Sequence, residues 1–250
     1  MCVCFECICL LSKVLTSCVH NLHIPSPRSH HLLIRQWEPA YDLFTKMKND
    51  GVQPDLVAYN ALIGAGMTAD KPSEVFDMWK EMCQSSNQDA SDKNKKNNKR
   101  TDSVSPDIVT LTEVIATLDN ASGKVNRERV DEVFTEAVNR GLILRKDSLD
   151  TYWEFDLSNM SQPIARAACR YIFNQIAQRY AVSDDDEEED DNDVKDLSLI
   201  TGASRMREHV RGILRDELKP SIYCVVPKLE QGTLLVKKKM VQNYINEQVR

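Results

Sequence analysis

A short apolar pattern recurs along the first half of this chain, and it limits the fold more than any other feature. EPAYDLFTKM (Glu38–Met47) aligns with SEVFDMWKEM (Ser73–Met82) at an offset of 35 residues. Ala40 falls on Val75, Leu43 on Met78, Phe44 on Trp79 and Met47 on Met82. A third copy, RVDEVFTEAV, places Val130, Val133, Phe134 and Ala137 in the same roles, 55 residues beyond the second. Each copy is apolar at i, i+3, i+4 and i+7, the spacing of one helix face. A second helical pattern precedes two of the copies: YNALI (Tyr59–Ile63) and LTEVI (Leu111–Ile115), 52 residues apart. Before each opener stands a Pro-Asp pair, Pro54-Asp55 and Pro106-Asp107. Proline cannot donate to a helix ladder and disfavours helix in its predecessor, so these pairs punctuate an array of helical hairpins. Gly51 and Gly141 follow the second helices and are expected to cap them.

The 17 residues by which the 52-residue spacing of the openers exceeds the 35-residue repeat fall in SSNQDASDKNKKNNKRTD (Ser85–Asp102), whose one apolar residue is Ala90. Residues 85–104 are therefore expected to form a disordered insertion between hairpins. The five basic residues from Lys93 to Arg100 read as a solvated loop or, alternatively, as phosphate contacts.

A helix–turn–helix unit of this period, carrying DGVQPDLVAYNALI and AYDLFTKMK, resembles the pentatricopeptide repeat family over about Gln36 to Arg145. The resemblance implies binding of single-stranded RNA, one base per repeat, read by a few side chains. It assigns base choice to the fifth residue of the first helix and the last residue of the repeat, here Asn60 and Asp107. In the family this pairing looks like a uridine reader, with the Asn amide on the base edge and the Asp orienting it. In the next repeat Thr112 takes the first role and Arg145 the second, a departure from the usual Asp or Asn that leaves this code unreadable. Pro25 stands where the first unit would have its reader, which makes that unit a half-repeat. Asn60 and Asp107 are both expected on the concave, solvent-facing side. The plain alternative for Asn60 is a helix-surface residue with no role.

From Asp150 the pattern changes. Thr151–Ser158 is aromatic and β-prone, and Ser161–Tyr180 is helical with Ser161 as its N-cap. Further on, Leu197–Ile200 reads as a strand, Arg205–Leu218 as a helix, Ser221–Val226 and Gly232–Val236 as strands, and a closing helix follows Lys237–Lys239. Strands alternating with helices imply a small α/β sandwich. The expected fold is α plus α/β: leader 1–35, helical repeats 36–149, then an α/β domain 150–250 with an acidic loop at 183–195. The order FDLSNMSQPIARAAC, LSLITGASRMREHVRGILRDEL, GTLLV resembles the small MutS-related (Smr) domain over about Thr151 to Val236. That family joins an Asp-Leu-His or Asp-Leu-Arg segment to a Thr-Gly-x-Gly loop, and some members nick nucleic acid there. Asp156 keeps the acid and Gly202 the first glycine, which makes Asp156 the candidate catalytic residue. Ser158 stands in place of the His, however, and Ser204 in place of the second glycine. The resemblance leaves Thr201, Gly202, Arg205 and Arg207 as candidate phosphate contacts at a helix N-terminus, with Lys237–Lys239 beside them. His209 is a remote candidate proton donor and reads more simply as a surface residue.

Charge supports this division. Nine of the ten residues from Asp184 to Asp193 are acidic, and without them the net charge of −6 becomes +3. A mildly basic body is compatible with nucleic acid. Five cysteines crowd the first 18 residues (Cys2, Cys4, Cys7, Cys9, Cys18) without the companion spacing of a zinc site, so no metal is expected. Cys83, Cys169 and Cys224 each lie in an apolar pattern and read as small core residues of a reducing compartment. Val3–Val19 contains Glu6 and Lys13 and is shorter than the ~20 residues of a membrane span. The acid-poor leader is compatible with a transit peptide, hence a mitochondrion or plastid rather than the cytoplasm. With this leader, the two resemblances imply an RNA-binding protein in organellar RNA processing, stability or translation, with ribosomes or processing proteins as further partners. The alternatives are a repeat-guided RNA endonuclease, the one reading that calls for a divalent metal cofactor, and a protein-interaction scaffold.

Overall fold

A computed structural model describes residues 27–91, 104–144, 153–181, 194–202 and 204–248, with side chains for 37–85, 104–144, 153–180, 194–202 and 204–248. The cysteine-rich leader, most of the insertion, Arg145 and the acidic run lie outside the described residues. The chain divides into two compact units, 1–129 and 130–250, and the division falls inside a helix upstream of Asp150.

The first unit contains helices α1 (Pro27–Asn49), α2 (Leu56–Thr68), α3 (Pro72–Ser91), α4 (Ile108–Asn120) and the start of α5 (Lys124–Asn139). The repeated apolar positions form the core. Ala40, Phe44 and Met47 are buried on α1, and Val75, Met78, Trp79 and Met82 on α3. The openers lie between them: α2 packs against α1, α3 and α4. Ala58, Tyr59, Ala61, Leu62, Ile63, Ala65 and Gly66 of α2 are all buried. A helix enclosed on so many sides is apolar nearly all round.

The punctuation has a physical basis. Asp55 and Asp107 are extended N-cap residues, and their carboxylates accept from the N–H of Ala58 and Thr110 at 2.8 Å. Each satisfies an amide that the first helical turn leaves without a partner. The glycine caps form as expected. At φ +75°, Gly51 donates its N–H to Lys48 O (3.1 Å), and Val52 donates to Met47 O (2.9 Å). Gly141, at φ +72°, repeats the arrangement with Val138 O and Leu142 with Ala137 O, both at 3.0 Å. This crossed pair closes a helix through a left-handed residue, which glycine adopts without strain.

Two boundaries differ from expectation. Helix α3 runs on to Ser91, seven residues into the expected insertion of 85–104. No Gly or Pro interrupts that segment, and extending a helix fixes fewer dihedrals per bond than starting one. Helix α1 begins at Pro27, well before the repeated motif, and continues past Pro39.

In the second unit β1 (Glu154–Asp156) pairs in parallel with β2 (Leu197–Ile200), and β2 pairs antiparallel with β3 (Thr233–Val236). Helix α6 (Gln162–Ala181) links the parallel strands, as a parallel pair requires. α7 (Ser204–Asp216) follows β2 and packs on α6 and β3, while α8 (Lys238–Gln248) packs on α6. Buried Phe155, Leu199 and Leu234 face this helical layer at neighbouring register positions.

The expected strand at Ser221–Val226 is not formed. Only Val225 bridges to Leu235, through N–H donations of 2.9 and 2.8 Å. Pro220 and Pro227 bracket the segment and cannot donate to a ladder, and the Ile222 N–H goes to Leu214 O of α7 instead (2.9 Å). Ser161 precedes α6 as expected, but its buried hydroxyl has no hydrogen-bond partner among the described residues, so the expected side-chain cap is absent. Among the described residues no helix is long and apolar enough to cross a membrane.

Gly66 holds the first unit at its closest spacing. A Cβ there would lie 2.6 Å from Val75 Cγ2 and 2.9 Å from the Trp37 ring. Gly66→Ala improves helix propensity by about 1 kcal/mol but overpacks this contact. The variant should therefore lose about 1–3 kcal/mol net, measured as a lower urea midpoint.

Candidate nucleic-acid interface

The structure brings Asn60 and Asp107 together, 47 positions apart in sequence, through Thr110. The Thr110 hydroxyl is 2.6 Å from Asn60 Oδ1 on α2 and 2.8 Å from Asp107 Oδ1 at the cap of its own helix. The Asp107 N–H in turn donates to the Thr110 hydroxyl oxygen (3.2 Å), completing a capping box. Partial burial pushes the Asp107 carboxyl up, but hydrogen bonds from Thr110, from the Asn60 amide and from the Val109 N–H outweigh it, leaving the group below its ordinary value. Asn60 and Asp107 are both half-buried. Asn60 is thus neither an isolated surface residue nor sealed in the core.

Two exposed valines stand beside this node. Val57 is 62% and Val109 49% exposed, at the same 52-residue offset that relates the two openers. An apolar side chain in water next to fixed hydrogen-bonding groups presents a flat contact and a polar edge together. Sequence reading did not single these valines out, although their shared offset was visible. Thr112 is half-buried, and its hydroxyl donates to Ile108 O of its own helix (2.7 Å), a local bond that uses its proton. Its repeat partner, Arg145, lies outside the described residues.

One turn above Thr110, Glu113 faces Gly64 of α2. Its carboxylate oxygens would lie 3.8 Å from a Cβ at position 64, and Oε2 is buried with no hydrogen-bond partner among the described residues. Burial first, and the Asp107 charge second, push its pKa up to about 7. Sequence patterning did not find this group, because a Glu in an amphipathic helix reads as a solvated face.

In the second unit, Asp156 is exposed at the end of β1, and its carboxylate accepts from the Ser158 N–H (2.9 Å). Ser158 also approaches the Thr-Gly turn: a Cβ at Gly202 would lie 3.1 Å from Ser158 Cβ, and Gly202 has φ +62°. The turn is anchored inward. The N–H groups of Thr201 and Gly202 both donate to Gly232 O (2.7 and 3.0 Å), as does the buried Thr201 hydroxyl (2.9 Å). The amide protons of Thr201 and Gly202 are therefore already used within the fold. Arg207 donates to Gln231 O and lies 3.8 Å from Glu208, while Arg205 is exposed. His209 Nε2 lies 3.1 Å from Gln162 O, where it joins α7 to the first turn of α6. Lys237 is ion-paired with Asp196 (2.9 Å). Among the described residues no group of three or more His, Cys, Asp or Glu side chains could hold a metal ion.

This geometry coincides with a family match over α2, most of α3 and the end of α1. Residues 38–85 match the pentatricopeptide repeat domain. The matched repeat includes Tyr59, Asn60 and Gly66, and ends within α3. No curated protein matches the chain. Within the matched stretch, helix α2 is held to α3 by the Tyr59 hydroxyl, which donates to Glu81 Oε1 (2.7 Å). Lys48 of α1 donates to the same oxygen (2.5 Å). Burial, and then the Glu81 carboxylate, push the Tyr59 phenol above its ordinary value and keep it protonated.

Glu113 gives a pH dependence with a definite sign. Its ordinary value is 4.5 and its value in the fold about 7. Between these the folded chain holds a proton that the unfolded chain has lost, so stability falls as pH rises through that window and is level above it. Glu113→Gln should remove this slope and stabilise the protein at pH 8 by on the order of 1 kcal/mol, read from urea denaturation at pH 5 and pH 8.

Proposed function

We propose that the chain binds single-stranded RNA through the repeat unit, with Asn60 and Asp107 choosing the base. The observation that carries this reading is the Asn60–Thr110–Asp107 hydrogen-bonded node, flanked by exposed Val57 and Val109. An RNA base needs a flat apolar contact for its face and fixed donors and acceptors for its edge, and this corner of α2 and α4 supplies both. The pentatricopeptide repeat match over 38–85 points to the same class of ligand. Thr112 would meet a second base through its hydroxyl oxygen. The acid-poor leader supports action on an organellar transcript, in its processing, stability or translation.

For the second unit we propose an Smr-like domain that no longer cuts. Asp156 is the one acidic group of the nicking pattern, and beside it Ser158 stays neutral at physiological pH and supplies no cation. Its contribution to RNA binding would come from exposed Arg205 and from Lys239, since Arg207 and Lys237 already have protein partners.

The test is binding of the full chain to labelled single-stranded uridine-, cytidine-, adenosine- and guanosine-rich RNAs and to duplex DNA. Weak binding is expected, because few repeats contribute, with uridine-rich RNA preferred. Asn60→Ala and Asp107→Ala should flatten that preference, the latter with a loss of about 1 kcal/mol in stability from its helix cap. With divalent metal present the RNAs should remain intact. Tighter binding to duplex DNA, or a preference untouched by Asn60→Ala, would contradict the reading.

A further inference from the structure

The Thr110 hydroxyl has two oxygen neighbours, Asn60 Oδ1 at 2.6 Å and Asp107 Oδ1 at 2.8 Å, and a single proton to give. The Asp107 carboxylate is already served by three other donors: the Thr110 N–H at 2.8 Å, the Val109 N–H and the Asn60 amide. One hydroxyl lone pair accepts the Asp107 N–H. The proton therefore goes to the shorter contact, and Thr110 donates to Asn60 Oδ1. The amide is held at both ends, its carbonyl by Thr110 and its NH2 by Asp107. Turning it over would set its carbonyl oxygen against the Asp107 carboxylate, lone pair to lone pair.

What remains on Asn60 is one N–H and one carbonyl lone pair in fixed order. A complementary base edge has an acceptor opposite the first and a donor opposite the second. Uracil offers this pair as O4 and N3–H. Cytosine reverses the order, with a donating N4 amine and an accepting N3. An amide turned over would exchange the two preferences. We propose that Thr110, although it belongs to the following helix, is the positioning residue that lets Asn60 tell uridine from cytidine. This rests on Asn60 being the base-contacting residue of the repeat.

The measurement is the ratio of the full chain's affinities for two single-stranded RNAs that differ only in a uridine or cytidine run. It is taken for wild type, Thr110→Val, Thr110→Ala, Thr110→Ser and Asn60→Ala. A ratio is insensitive to a uniform loss of folded protein, and the two non-hydroxyl variants guard against one folding poorly. Wild type and Thr110→Ser should share a preference for uridine, which falls by roughly fivefold or more in Thr110→Val and Thr110→Ala. A preference lost in Asn60→Ala but kept in both non-hydroxyl variants would overturn the role of Thr110 and leave Asn60 as the reader. A wild type without preference, or an Asn60→Ala variant that keeps it, would overturn the reading of Asn60 and the role of Thr110 with it.

Discussion

The carboxylate of Asp107 caps helix α4 and at the same time accepts from the amide of Asn60 on α2. The first duty is local, satisfying amides that α4 cannot satisfy itself; the second reaches across the repeat junction. One group therefore fixes where a helix starts and how the preceding opener presents its polar edge. Thr110 joins the two duties, because its backbone N–H serves the cap and its hydroxyl serves Asn60. A base-facing amide on a flexible stem would spend binding energy on being ordered. Here the fold orders it in advance.

The repeat was legible because its signal is periodic. The apolar positions from Ala40 to Met47, Val75 to Met82 and Val130 to Ala137 become buried faces, and Gly51 and Gly141 close their helices with the same pair of bonds. Long-range side-chain encounters leave no such trace. Thr110 looks like an ordinary opener residue, Glu113 like a solvated one and Gly66 like a tolerated helix glycine. Each acquires its meaning from a neighbour on another helix: Asn60, Gly64, and Val75 with Trp37. The Pro-Asp pairs lie between these cases, readable as punctuation but not as N-caps. Where β-propensity met proline, at Ser221–Val226, the missing donors at Pro220 and Pro227 decided against a strand.

The second unit shows how a loop of familiar composition can be spoken for by its own fold. Thr201 and Gly202 lie where β2 ends and α7 begins, yet their amides close on Gly232 beside β3. The glycine is needed for another reason, since a Cβ would crowd Ser158 and the backbone sits in the left-handed region. The arginine best placed by sequence, Arg207, is bound to Gln231. In the repeat unit, by contrast, the polar groups of Asn60 and Asp107 remain partly open and Val57 and Val109 stand exposed beside them.

The central claim is that the edge of α2 and α4 around Asn60 meets RNA with its amide already oriented. Nuclear magnetic resonance of the labelled full chain tests this most directly, by following the Asn60 side-chain amide and the Val57, Val109 and Thr110 signals as single-stranded uridine-rich RNA is added. The account predicts a single Asn60 side-chain rotamer before RNA is present, read from its scalar couplings and from nuclear Overhauser contacts of its NH2, and the largest shifts at these four residues after RNA is added. Rotamer-averaged couplings at Asn60 in the free protein, or shifts confined to other surfaces, would contradict it.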